Sequence, residues 1–596
     1  MRVADYITAT LVAHGISDIF LVTGGGSMHL NDAIGRCPGL SYICCHHEQA
    51  CAMAAESYYR LSGRMAAVNV TSGPGGTNAI TGVYGAFVDS QAMMVISGQV
   101  KYETLVRSTD LALRQLGDQE LDIIPMVKHV TKYAEMVTDP ETIRYHLERA
   151  LHLARSGRPG PVWLDVPLNV QGAQIDPATL RGYDPAEDAA VLPSTDVAEI
   201  SQTIIAKLAG AQRPVIMLGS GIRISGMRDQ TIALLTRLGI PVVTAWNSHD
   251  LIPDDHPCFA GRPGTIGNRP GNFAVQNADV LLVLGCRLNI RQVSYNWTNF
   301  AQHAYRIFVD IDAVELRKPT ISPHLPVHAD LRDLIPALQA TGYVGDGRHA
   351  AWIEWCRQRV ARYPACLPEY WSRPGLINPY CFAERLFERL ATESIVVTGD
   401  GTACVVPFQA ARIRGTQRLY TNSGCASMGY DLPAAIGACL AAGRQRIICL
   451  AGDGSIQMNL QELQTIAAHH LPIVIFVLNN QGYHSIRQTQ TTYFSDSLMG
   501  FDANTGVSFA PFDRLAAAFG IAYNRCDSHA GLTQAIDSAL AANGPHLCEI
   551  MLDPAQPFSP RVSSKKLPDG RMVSAPLDDM FPFLPRDELV NNTCAT

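Results

Sequence analysis

No apolar run in this chain is longer than a strand, so nothing in it reaches the roughly 20 residues that a membrane-crossing helix needs. Runs of lysine and arginine are also missing. With 47 basic against 54 acidic residues, the net charge is −7, and a nucleic-acid partner is not expected. No CxxC pair occurs among the 16 cysteines, several of which (Cys44, Cys45, Cys439, Cys449) sit inside apolar runs. That pattern excludes a zinc ribbon or dithiol motif and fits reduced core thiols. The first fifteen residues, MRVADYITATLVAHG, carry Asp5 and lack the apolar core of a signal peptide, so the chain reads as cytoplasmic. Charged residues make up only 17% and hydrophobic ones 47%, the composition of a well-buried globular enzyme rather than a disordered or fibrous chain.

What is present is a repeated alternation of short apolar, β-branched runs with helical patterns. A length of 596 residues is too great for one core. The alternation predicts an α/β protein of three Rossmann-like, doubly wound parallel-sheet domains at 1–172, 190–345 and 375–556. The polar, proline-containing stretch from Asp176 to Ala198 reads as a linker, and the tail at 557–596, with no strand periodicity, reads as an arm or lid. The first and third blocks are of similar size, as an old duplication would leave them.

The chemistry concentrates at residues 446–484. Ile447 to Leu450 read as a buried strand that breaks into Gly452-Asp453-Gly454, and a second strand, Ile473 to Leu478, ends in Asn479-Asn480. Both strand ends of such a β-α-β unit lie on one edge of a parallel sheet, so the Asp453 carboxylate and the Asn480 amide can meet. The glycines admit a phosphate close to the backbone, and oxygen ligands of this kind suit a magnesium-like ion. A second tripeptide, Gly399-Asp400-Gly401, also follows an apolar strand, but no strand ending in Asn-Asn lies at a similar distance beyond it. Glu48, at the strand-to-helix junction after His46-His47, is by default a carboxylate that complements a helix dipole.

The GDG-to-NN stretch resembles the thiamine diphosphate motif. HHEQACAMAAESYYRLSGR, TSGPGGTN and VDSQAMMVISGQV resemble the pyrimidine-binding domain of the acetolactate synthase group. The resemblance covers about residues 1–555. It implies thiamine diphosphate and Mg²⁺, with Asp453, Asn480 and the Gly482 carbonyl as metal ligands. Thr71, Asn78, Gly452, Gly454, Ser455 and Tyr483 would lie around the cofactor, and Met428 would be the wedge beneath it. Glu48 falls on the glutamate that activates the aminopyrimidine. Gln119 and the backbone of Gly24 and Gly25 would polarise carbonyl oxygens, and Lys132 would stand beside substrate and flavin. Gly219, Gly221, Arg287 and Asp310 resemble the FAD-binding form of the central domain, where the flavin would be structural. The family's cofactor spans two chains, which implies a homodimer or homotetramer; nothing in this chain supplies a regulatory subunit.

The chain departs from the acetolactate synthase pattern in one pocket. Thr489 stands where an acceptor-selecting tryptophan is usual, Asp118 replaces a phenylalanine, and His484 adds a polar group. An indole lost there frees contact area of the order of 100 Å². Three enzymatic readings follow. One is a carboligase that decarboxylates a 2-oxo acid, pyruvate foremost, and transfers the two-carbon unit to an acceptor carbonyl. The second keeps that donor chemistry with a bulky keto-sugar acceptor, as in carboligases of sugar biosynthesis. The third is a simple 2-oxo acid decarboxylase with His484 as its acid. A non-catalytic scaffold would have no chemical reason to keep Glu48, Asp453 and Asn480 together.

Overall fold

A computed structural model describes residues 1–191, 193, 195–494, 497–566 and 568–594. Each of the three blocks forms one six-stranded, all-parallel sheet. The first contains β1 (Asp18–Leu21), β2 (Ser41–Cys44), β3 (Ala67–Val70), β4 (Met94–Gln99), β5 (Tyr133–Met136) and β6 (Val162–Pro167). The second contains β7 (Pro214–Leu218), β8 (Val242–Thr244), β9 (Phe259–Gly261), β10 (Val280–Leu284), β11 (Tyr305–Asp310) and β12 (Leu325–His328). The third contains β13 (Ile395–Thr398), β14 (Arg418–Tyr420), β15 (Ile447–Gly452), β16 (Ile473–Asn479), β17 (Ala522–Cys526) and β18 (His546–Met551). Central strands such as β15 and β10 are buried along their whole length, which is why they read as unbroken apolar runs.

The spatial order of the first sheet is β2-β1-β3-β4-β6-β5, and that of the third is β14-β13-β15-β16-β18-β17. Counted from each domain's own first strand, these are the same order, as expected of two related blocks. The central sheet differs. Its order, β12-β11-β10-β7-β8-β9, is the dinucleotide-binding one, with the switch point between β7 and β10.

The first and third domains pack through helices Glu48–Ser62 and Asp431–Ala441. Ser57 Oγ bonds the Tyr420 hydroxyl (2.8 Å) and donates to the Ala434 carbonyl (2.7 Å) in that seam. The buried Glu56 carboxylate takes Arg60 and the Tyr430 hydroxyl, while Arg60 also reaches Asp89 at 2.8 Å. Arg418 of β14 bonds Asp250 of the central domain at 2.6 Å, so all three domains are tied by buried charges.

The tail, read as an arm or lid, has structure of its own. It carries a short antiparallel hairpin, Ser564–Lys566 with Met572–Ser574, although its sequence shows no alternation. Three-residue strands at the surface need none. It also runs along the central domain as a strap: Asn272 Nδ2 donates to the Leu577 carbonyl (2.8 Å) and Asn277 Nδ2 to that of Asn592 (2.9 Å), with Leu577 and Met580 buried. Residues 567, 595 and 596 of the tail, and 192 and 194 of the linker, lie outside the described residues. The linker holds a 3₁₀ turn at Pro185–Val191, and the helix Val197–Gly210 begins within its last residues. Among the described residues no helix is long and apolar enough to cross a membrane.

Candidate active site

The Asp453 carboxylate is buried at the end of β15, where its only hydrogen-bond donors are backbone amides. Oδ1 accepts from Gly454 N (3.0 Å) and Oδ2 from Gly482 N (2.8 Å). Burial pushes this acid up to about 7, against the opposing pull of its backbone donors and of Arg487, as suits a carboxylate that faces a cation site. Asn480, at the end of the adjacent strand β16, donates through Nδ2 to Thr402 Oγ1 (3.1 Å), so its amide oxygen is left free as an acceptor. Gly482 has φ +135°, and a Cβ there would run into the Phe501 carbonyl, so only glycine lets the chain fold back over Asp453. No cluster of three or more His, Cys, Asp or Glu could hold a metal among the described residues. One carboxylate, one amide and one carbonyl could serve as a donor set here, which a phosphate oxygen would complete for a hard divalent ion.

Around this turn, a Cβ on Gly454 would strike the Tyr483 ring, so that backbone approaches closely. Ser455 is also engaged within the chain. Its hydroxyl donates to Asp431 Oδ2 (2.7 Å) and accepts from Gly429 N (3.1 Å). It ties the diphosphate turn to the segment that follows Met428, and only its backbone remains for a ligand. Met428 is 38% exposed, which rules out a core methionine and leaves an apolar side chain projecting from the surface of this chain. Gly429 O in turn accepts from Asn459 Nδ2 (2.8 Å), which also reaches Gln49 Oε1 (2.9 Å), beside Glu48.

Glu48 is the first residue of helix Glu48–Ser62 and is buried. His47 caps that helix by accepting from Gln49 N (3.0 Å), which leaves the glutamate free of capping duty. Asn78 Nδ2 donates to Glu48 Oε2 at 3.0 Å. Thr71 Oγ1 accepts from Gly26 N (3.0 Å) and fixes the Gly24–Gly26 loop beside it. Asn78 and Thr71 thus position Glu48 and the glycine loop, including Gly25. The carbonyl of Gln119 packs against the same turn: a Cβ on Gly73 would lie 2.6 Å from it. The Asp118 and Gln119 side chains are exposed, as are Leu116 and Met126 nearby.

Three other predicted pocket residues, Lys132, His484 and Thr489, have polar atoms engaged within the chain. Lys132 directs Nζ to the carbonyls of Leu153 and Ser156 (2.6 Å to Ser156), where it caps helix Ile143–Arg155. Burial, with Arg158 close by, lowers its acid constant to about 8. His484 is buried, with Nε2 against the Gln556 carbonyl (2.9 Å) and its ring edge-on to Phe558. Burial holds it down at about 4, so it is neutral and engaged at neutral pH. Thr489 is exposed on helix His484–Tyr493, its hydroxyl turned back to the Ser485 carbonyl (3.0 Å). Gly399-Asp400-Gly401, set aside on sequence, ends the strand next to β15, and Thr402 just after it holds Asn480. Its position on the neighbouring strand was the missing signal.

The crevice of the central sheet is a cavity of about 310 Å³ at the β7–β10 switch point. Gly219 and Gly285 are in such close contact there that neither could carry a side chain without moving the other turn. Gly221, Arg287 and Asp310 line the cavity. Burial raises the Asp310 acid to about 6, and its Oδ1 accepts from Asp312 N (2.9 Å). Ser248 Oγ and Asp89 Oδ1, both lining residues, are buried without a hydrogen-bond partner. Orphaned polar atoms beside a glycine cradle fit a polar, nucleotide-like ligand.

Comparison with known proteins bears on the same three units. Residues 1–126 match the thiamine pyrophosphate enzyme N-terminal TPP binding domain, 201–338 the central domain, and 399–550 the C-terminal TPP binding domain. The chain is 31% identical to the acetolactate synthase isozyme 2 large subunit of Escherichia coli, over 94% of this chain and 97% of that protein. It is 31% identical to a probable acetolactate synthase large subunit of Methanocaldococcus jannaschii, over 96% and 95%. Acetolactate synthase 1 of Zea mays, a chloroplastic protein, is 30% identical over 94% and 87%.

Proposed function

Because the chain belongs to the thiamine diphosphate-dependent enzymes of the acetolactate synthase type, we propose that it decarboxylates a 2-oxo acid, pyruvate foremost, and joins the two-carbon unit to a carbonyl acceptor bulkier and more polar than pyruvate. The observation that carries the donor half is the buried Asp453 carboxylate under Gly482, on the edge that also presents Asn480. These three residues would hold Mg²⁺ and, through it, a diphosphate. When bound, thiamine diphosphate supplies a nucleophilic carbon and an electron sink for the decarboxylation. Glu48 would share a proton with the pyrimidine ring, held in place by Asn78. Gln119 and the Gly24–Gly25 backbone would polarise the acceptor oxygen.

Thr489 supports the bulky acceptor: it is small, polar and exposed at the position where an indole would narrow the pocket. A protonating decarboxylase finds no acid in His484, which is neutral and bonded to Gln556. Exposed Met428, Met126 and Leu116 fit a site completed by a second copy of the chain. FAD would suit the central crevice as a structural ligand, with Gly221, Arg287 and Asp310 among the residues that would hold it.

The test is purified protein with thiamine diphosphate, Mg²⁺ and pyruvate, following CO₂ and acetolactate together. Slow CO₂ release that a keto sugar accelerates supports the bulky acceptor; fast turnover with one acetolactate per CO₂ refutes it. Glu48→Gln keeps an oxygen for Asn78 and should lower CO₂ release by about 10²–10⁴-fold. An unchanged rate would remove Glu48 from the chemistry.

A further inference from the structure

The loops on the substrate side of the first domain rest on a buried polar floor that the reaction above leaves unused. Asp165, in β6, is fully buried. Its Oδ1 accepts from Ser97 Oγ at 2.5 Å, and that hydroxyl accepts from Trp163 Nε1 at 2.8 Å. Its Oδ2 accepts from Gln99 Nε2 at 3.1 Å. The same amide nitrogen donates to the Leu121 carbonyl at 2.7 Å. A carboxyl group this deep is costly as mere filling. Burial pushes it up to about 7, and the charged groups that face it are Asp122 and Arg107, with opposite effects.

The segment above this floor is strained where the chemistry would need it. Gln119 has φ +58°, in the left-handed region, and is not glycine. Such a conformation persists only where the surroundings impose it. They do so from three sides. Gly73 leaves room for the Gln119 carbonyl. Glu120 accepts from Val106 N (2.8 Å) and Gly117 N (3.2 Å). Gln99 holds Leu121 from below. The Gln119 side chain stays exposed while its backbone is pinned. A second buried amide repeats the device: Gln171 Nε2 donates to the Gly26 carbonyl at 2.7 Å, in the glycine loop.

We propose that Asp165 and Gln99 are positioning residues for Gln119. The Asp165 carboxylate orients the Gln99 amide, the amide fixes the Leu121 carbonyl, and the fixed loop holds Gln119 in the conformation that serves the acceptor. The role at the acceptor rests on the carboligase reading above; the mechanical link from Asp165 to the loop does not.

The experiment therefore has two readouts on the full-length protein, for Asp165→Asn and Gln99→Met. Amide hydrogen exchange across residues 116–123 should quicken about tenfold in both variants, with or without substrate. With pyruvate saturating and the accelerating keto sugar varied as acceptor, its KM should rise about tenfold, while kcat changes less than threefold. The swapped pair Asp165→Asn with Gln99→Glu restores a bond between the two side chains but leaves the Leu121 carbonyl without a donor. It should recover Tm and not KM. Unchanged exchange across 116–123 in folded variants overturns the link. Exchange that quickens with KM unmoved, or a swap that restores Tm and KM together, reduces the cluster to a structural one and overturns the positioning role. If the wild-type protein releases no CO₂ from pyruvate, the carboligase reading falls while the exchange data still decide the link.

Discussion

Two Gly-Asp-Gly turns sit side by side in the third domain, at the ends of the paired parallel strands β13 and β15. Their sequences are identical and their surroundings are not. Asp453 is fully buried and bonded only by backbone amides, because the strand next to it ends in Asn479-Asn480-Gln481-Gly482 and folds over it. Asp400 is half-buried, and its acid, raised by burial, is drawn back by the Gly401 amide and by Arg291 of the central domain. Asp453 also feels a cation, Arg487, but it is the more deeply buried of the two and takes more backbone amides. The tripeptide makes a turn; on the reading proposed above, the end of the following strand turns it into a cation site. The first turn still contributes, through Thr402, which holds the Asn480 amide so that its oxygen stays free.

Glycine substitutions should separate the two turns most strongly. Gly401 and Gly482 both have positive φ, so alanine at either costs about 1–3 kcal/mol in strain. At Gly482 the methyl also meets the Phe501 carbonyl, whereas at Gly401 its nearest neighbour would be Ser485 Oγ at 3.9 Å. Overpacking adds roughly 1–3 kcal/mol more. Denaturant unfolding should therefore show Gly482→Ala losing about twice as much stability as Gly401→Ala. Equal losses would mean that the fold-back over Asp453 is not tight.

Thr402→Val cuts the one hydrogen bond between the first turn and Asn480. Loss of an outer contact to a metal ligand typically costs about tenfold or more in metal affinity. The concentration of Mg²⁺ that half-activates CO₂ release should rise by that factor, with kcat little changed at saturation. No rise would make the two turns independent.

The smallest effect concerns the tail beside Asn480. His484 is held near 4 by burial, below the ordinary value of about 6.5 for the unfolded chain. As pH falls through that window the unfolded state takes the proton first, so the stability contributed by neutral His484 is present above about 6.5 and lost toward 4. His484→Gln should flatten the acid side of the Tm profile by roughly 1–3 °C. An identical profile would release the Gln556 contact from this role.

Much of this arrangement could be read before any coordinates. Ile447–Leu450, Ile473–Leu478 and Val280–Leu284 announced buried central strands because both of their faces are covered. The edge strands β5 and β17, YAEM and AYNRC, are largely half-exposed or exposed, and so leave no apolar run to read. Asp453, Asn480 and Glu48 were legible from spacing and resemblance, since strand ends share an edge. The commitment of Ser455 to Asp431, the capping role of Lys132 and the Asp165–Gln99 floor were not. They are hydrogen bonds between residues of different elements, which no local pattern encodes. The neighbouring Gly-Asp-Gly turn failed for the same reason: its relevance lies in strand order.

The central claim is that only one of the two turns makes the cation and diphosphate site. The most direct measurement is thiamine diphosphate binding, followed by quenching of intrinsic fluorescence with and without Mg²⁺, for the wild type, Asp453→Asn and Asp400→Asn. Mg²⁺-dependent binding should persist in the wild type and, within about tenfold, in Asp400→Asn, and should weaken by at least 10²-fold in Asp453→Asn. Binding by Asp453→Asn as tight as wild type, or its loss in Asp400→Asn alone, would contradict the assignment.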